Sequence, residues 1–350
     1  MQIEPREHMS AWRVGFAPVF AVFATLAICA VLIVWAGAPV IESYQLLFKG
    51  AVGSRFALNE TITRSIPLIF TGLAVAVAFK AKFYNIGAEG QLYCGALAAT
   101  YFGSGLVTLP PVLMIPFLML VGAIAGGVIL ILPVLLKTHM KVDEVVTTLL
   151  LNFIILLFVS YLLEGPWKDP MSMGWPQAKS VIDEGILPPL FAKGRLHMGL
   201  YFALGAAFLV WALMRFTIWG YEIKAAGLNA IAAAFSGINV NKTIIRTAMI
   251  SGGLAGMAGV SEVAGLKGYL TLDLSPGFGY TGIAVAMLAR LHPLAVVPAA
   301  LFLSGIYVGS GSMSRAVNIP AYISDVIVGM SVLAILVAVM FSQYRIKWRS

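Results

Sequence analysis

The run Asn85-Ile86-Gly87-Ala88-Glu89-Gly90-Gln91 places two amides and a carboxylate side by side between apolar stretches of a 350-residue chain. Amides donate and accept hydrogen bonds and a carboxylate accepts them, so the chemistry on offer is the binding of polar groups. A polar, glycine-containing break of this kind is costly at membrane depth unless protein or water surrounds it. The freed backbone groups can bond a polar solute without many charges. Asn85, Glu89 and Gln91 supply the side-chain partners. Glu89 is the sharpest of these, because an intramembrane carboxylate is by default a functional group. The competing role for Glu89 is to cap or brace the broken helix. Lys80 and Lys82 draw the break toward one membrane surface.

A second break follows at 274–282, Leu-Ser-Pro-Gly-Phe-Gly-Tyr-Thr-Gly, and leads into a small-residue stretch, 283–289. Paired broken segments are a feature of internally repeated transporters around a midplane site.

The elements that position these breaks are apolar spans. Hydrophobic residues make up 60% of the chain and charged residues 11%, and the mean hydropathy is +0.93. The expected fold is all-α, a polytopic membrane protein. Ten apolar segments fall at 17–34, 66–78, 88–102, 112–136, 145–163, 198–216, 243–266, 279–291, 294–308 and 321–341. Several are shorter than the roughly 20 residues a full crossing needs, so transmembrane and half-spanning helices are both expected. The first segment reads as a retained helix, because no small-residue cleavage site leads from it into a soluble domain. An even number of crossings puts both termini on one side, and the distribution of Lys and Arg makes that side cytoplasmic. Tails at 1–16 and 343–350 then flank one transmembrane domain, 17–342.

Several function classes are disfavoured. The net charge of +8 follows topology rather than a basic stripe on a soluble surface, which argues against a nucleic-acid partner. Cys29 and Cys94 lie in apolar segments without CxxC spacing, so neither disulfide nor metal is expected. No nucleophile elbow, zinc-binding HExxH or phosphate-binding P-loop occurs, so no catalytic residue is assigned. Any ATP and magnesium would be bound by another subunit.

Two polar stretches remain. The loop 164–197, with Gly165-Pro166-Trp167-Lys168-Asp169-Pro170, reads as an ordered outer loop that either receives a partner or packs as a lid over helix ends. The stretch 217–242 has an alanine-rich centre in which Asn229 serves as N-cap and Gly237 as stop, predicting a short helix over 230–236 outside the bilayer. Gly252 and Gly256 have the spacing for close helix approach, to a neighbour the sequence does not identify. Asp325, near the start of the last span, is not placed in the site.

Three stretches, 83–91, 143–169 and 220–260, resemble the permease subunits of bacterial ATP-binding-cassette importers of the branched-chain amino acid, ribose and nucleoside group, and are most similar to the nucleoside and simple-sugar branch. The resemblance implies a bacterial inner-membrane subunit that pairs with a second permease, expected to be a paralogue. A cytoplasmic ATPase would drive it, and an outer solute-binding protein would deliver a nucleoside, a simple sugar or another ring compound. It also implies that the 230–236 helix couples to the ATPase through Gly227, Asn229, Ala230, Ala232, Ala233 and Gly237. In that setting Phe278 and Tyr280 are candidates to stack on a base, worth about 1 to 3 kcal/mol in nucleic-acid sites, or else serve as packing residues. The alternative from another class is an ion-coupled secondary transporter using deep acids such as Glu89 and Glu262.

Overall fold

A computed structural model describes residues 2–5, 23, 25–191 and 194–347. The start of the first apolar segment, most of the 1–16 tail and the last residues of the 343–350 tail lie outside this set. Among the described residues the regular elements are helices and one two-stranded antiparallel ladder, β1 (Gln2–Pro5) with β2 (Tyr344–Lys347), registering Gln2 with Lys347. Among the described residues six helices are long and apolar enough to cross a membrane, or up to seven if one bent pair counts as a span.

The chain divides into two compact units, one from residues 1–64 and 301–350, the other Ser65–Ala300. In the first, α1 (Thr25–Trp35) and α2 (Val40–Val52) are bent by 118° at Gly37, whose φ of +77° suits a residue without a Cβ. Cys29 and Ile33 of α1 pack with Met313 of α13 (Pro293–Ala316), Ile319, and Ile323 and Ile327 of α14 (Ala321–Gln343).

The second unit carries the breaks. It takes the longer part of α3 (Arg55–Lys80), then α4 (Ala88–Tyr101), α5 (Pro111–Ile129), α6 (Ile131–Met140) and α7 (Glu144–Glu164). Next come α8 (Gly199–Phe216), α9 (Ile218–Leu228), α10 (Ala230–Phe235), α11 (Val240–Glu262) and α12 (Phe278–Leu288). All ten expected apolar segments thus contain helix. α12, with 11 residues, is too short to span, and α4, with 14, continues directly into a further helical turn at Phe102–Leu106. Two helices were not expected from the sequence, the amphipathic α2 and α9.

Glycine holds the centre of this unit. A Cβ on Gly256 of α11 would lie 2.1 Å from the Gly122 carbonyl of α5, and one on Gly252 would lie 2.2 Å from that of Gly126. On α4, a Cβ on Gly95 would meet the Gly256 carbonyl at 2.0 Å. Backbones in such contact tolerate no side chain, which is the small-residue packing typical of membrane helices. The neighbour of the Gly252/Gly256 pair is therefore this chain's own α5.

α4 and α11 each end in a π-helical turn, Phe102–Leu106 and Val263–Lys267. The 164–197 loop hydrogen-bonds to both ends: Ile182 N–H donates to the Gly103 carbonyl at 2.8 Å, and Leu187 N–H to that of Ala264 at 2.8 Å. The loop is a lid stitched over helix ends. Its tip still exposes Met171, Met173 and Trp175.

Candidate functional site

The first break spans the residues between α3 and α4, and a polar ladder on α7 satisfies its backbone. Glu144, Thr148 and Asn152 stand four apart, so they share one helix face. Glu144 accepts from Tyr84 N–H at 3.2 Å, Thr148 from Ile86 N–H at 3.2 Å and Asn152 from Gly90 N–H at 2.8 Å. Asn152 also donates to the Ile86 carbonyl at 3.0 Å and to the Tyr280 hydroxyl at 3.1 Å. Glu144 is ion-paired with Lys137, whose ammonium lies over the Phe83 ring at 5.4 Å. Unpartnered backbone groups at this depth would cost several kcal/mol, and the ladder removes that cost.

Asn85 and Gln91 close the break on itself. Their amides exchange two hydrogen bonds of 2.9 Å, Asn85 further donates to Ser251 of α11 at 3.0 Å, and both side chains are fully buried. Asn85 also accepts from Gly87 N–H at 2.9 Å.

Glu89 reaches the second break. Its Oε2 accepts from Gly279 N–H at 2.7 Å, while the Ser275 hydroxyl accepts from Gly277 N–H at 3.2 Å and Phe278 N–H at 2.9 Å. Gly279 sits so close that a Cβ there would lie 2.2 Å from the Glu89 nitrogen. α12 begins at Phe278 and α4 at Ala88, so two helix N-termini converge with one carboxylate between them. Helix N-termini carry partial positive charge, and a carboxylate at that junction is favoured by both. Phe278 is buried, with its carbonyl 3.0 Å from the Thr71 hydroxyl. Tyr280 is 37% exposed, and its hydroxyl accepts from Asn152 of α7.

The second group of expected residues forms a separate surface. The Asn229 side chain accepts from Ile231 and Ala232 N–H, capping α10 (Ala230–Phe235), and Gly237 follows with φ +84°. Gly227 is pressed onto α3, where a Cβ would lie 1.9 Å from the Lys80 carbonyl. Ala233 is buried, whereas Ala230 and Ala232 are exposed. Sequence reading missed the largest exposed groups here, Ile231 at 79% and Phe235 at 94%, and it missed the α7 ladder. Both had a signal, apolar or polar residues at a spacing of four.

Six apolar helices of spanning length and two converging helix N-termini define, among the described residues, a multi-pass membrane protein. The chain matches, over residues 57–336, the family described as branched-chain amino acid transport system / permease component, and it belongs to that family. It is 33% identical to the glucose ABC transporter permease TsgB13 of Haloferax volcanii, over 99% of this chain and 93% of the relative. It is 32% identical to the guanosine ABC transporter permease NupP of Bacillus subtilis, over 95% and 94%. To NupQ of the same organism, also named a guanosine ABC transporter permease, identity is 26% over 69% and 77%.

Proposed function

We propose that this chain forms the translocation path of an ATP-driven importer for a nucleoside or a related sugar-bearing solute. The observation that carries the reading is the Glu89 bridge between two buried helix N-termini, a junction suited to open and close around a polar solute. Asn85, Glu89, Gln91 and Phe278 hold that gate, and Tyr280 faces the solute. Its similarity to a glucose permease and a guanosine permease supports the solute class.

α10 docks on a cytoplasmic ATPase, which binds ATP and magnesium; exposed Ile231 and Phe235 give it an apolar face for a protein groove. The chain sits in a bacterial cytoplasmic membrane with both termini inside, and an outer binding protein delivers the solute. NupP and NupQ, two relatives from one organism with one named solute, support pairing with a paralogous permease. The test is uptake of labelled guanosine and glucose into proteoliposomes holding this chain with its partner permease, ATPase and binding protein. ATP-dependent uptake supports the proposal, and gradient-driven uptake without the ATPase overturns it.

A further inference from the structure

A cavity of about 280 Å³ in the first unit is lined by charged side chains from three apolar helices. Glu60 and Arg64 face it from α3, where they form an i,i+4 ion pair at 3.4 Å. Tyr307, Gly311 and Arg315 face it from the last turns of α13, and Asp325 from the second turn of α14. Gly311 leaves the space open: a Cβ there would find only the Arg315 Nη1, at 3.6 Å. Ser314 lines the wall but turns its hydroxyl to the Ile319 carbonyl at 2.9 Å.

The four ionisable groups stand near the ends of their helices, Arg315 and Asp325 exposed and Glu60 and Arg64 half-buried, and all four converge on one open cavity, where they can meet a ligand. Arg315 and Asp325 share this cavity, yet among the described residues neither makes an ion pair within 4 Å. Two cations and two anions leave the cavity without net charge, so it has no preference for an ionic ligand of either sign. A neutral polyol fits such a lining. Each hydroxyl donates to a carboxylate and accepts from a guanidinium, and neighbouring hydroxyls match the two-pronged geometry of both groups.

We infer that this cavity binds the vicinal hydroxyls of a sugar, either free or as the ribose of a nucleoside, at the entrance to the path. The inference rests on the proposed function. In the proposed topology the cavity lies at the outer ends of α3, α13 and α14, where a solute arrives.

The test is direct binding of D-ribose and guanosine to the full permease–ATPase complex in nanodiscs without binding protein, read by saturation-transfer NMR. Both ligands are expected to bind, 2′,3′-dideoxyguanosine to bind about tenfold more weakly, and Arg315→Gln and Asp325→Asn each to weaken ribose about tenfold, the scale of a lost charged hydrogen bond. Circular dichroism checks that both variants fold. Equal binding of the dideoxy analogue, unchanged binding by both folded variants, or displacement of ribose by phosphoethanolamine, a zwitterionic headgroup, would overturn the inference. Uptake of guanosine without diol binding rejects this cavity alone. Diol binding without uptake of guanosine or glucose keeps the cavity and rejects the proposed function.

Discussion

Glu89 and Gly279 are 190 residues apart in sequence and joined by a 2.7 Å hydrogen bond from backbone N–H to carboxylate. One side chain thereby ties the start of α4 to the start of α12. Replacing Glu89 with Ala leaves Gly279 N–H without an acceptor and is expected to cost about 1 to 3 kcal/mol. Glu89→Gln keeps an acceptor but removes the charge, and should destabilise less. Thermal unfolding in detergent measures the first effect and reconstituted uptake the second; uptake should fall in both variants.

Asn152→Leu preserves the approximate volume of the side chain but strips partners from Gly90 N–H and the Ile86 carbonyl. With each group costing about 1 to 3 kcal/mol when left unpaired, the variant should unfold at markedly lower temperature than Leu151→Ile, a control on the same helix.

Gly256→Ala places a methyl group 2.1 Å from the Gly122 carbonyl. Helices must separate to accept it, at about 1 to 3 kcal/mol. Gly205→Ala on α8, where nothing lies within 4 Å, should be neutral or slightly stabilising. A comparison of the two melting temperatures isolates the effect of close approach from that of helix propensity.

Phe235→Ala and Ile231→Asp alter exposed side chains of α10 and should leave the melting temperature unchanged. In the reconstituted complex each is expected to lower solute moved per ATP hydrolysed. Ala233→Glu is a different experiment, because Ala233 is buried and the charge would damage the fold itself.

His197, at the end of the 164–197 loop just before α8, is buried against Gly265 and accepts from Gly199 N–H through Nδ1 at 3.2 Å. Burial lowers its imidazole from the ordinary value of 6.5 to about 4. Between those values the unfolded chain binds a proton that the folded chain refuses, so stability is full above about pH 6.5 and falls as pH drops toward 4. The loss approaches roughly 3 kcal/mol at 1.36 kcal/mol per unit. Melting curves from pH 7.5 to 4.5 should show this slope, reduced in His197→Gln.

The spans were legible because an apolar run long enough to cross a bilayer has few other uses, and each of the ten contains helix among the described residues. α2 escaped notice because Glu42 and Lys49 interrupt its apolar pattern, and α9 because Gly220 and Gly227 read as loop residues. The Asn229 cap and the Gly237 stop were legible because both act through local backbone geometry. The partners of Glu89 and of the Asn152 amide were not, since contacts between distant residues leave no local pattern. The neighbour of Gly252 and Gly256 was hidden for the same reason: glycine spacing announces that a backbone comes close, without saying which.

The glycine contacts have a mechanical consequence. Where one main chain rests on another there are no rotamers to yield, so α4, α5 and α11 form a stiff plate with little give. α11 starts five residues after α10 ends, and Gly259 farther along it abuts the Leu92 carbonyl of α4, where a Cβ would lie 1.9 Å away. At 1.5 Å per residue that distance along the helix is about 28 Å. A displacement of the start of α11 would thus be carried along that length to the helix bearing Glu89, whereas the start of α12, flanked by Gly277 and Gly279, would be the softer side of the junction.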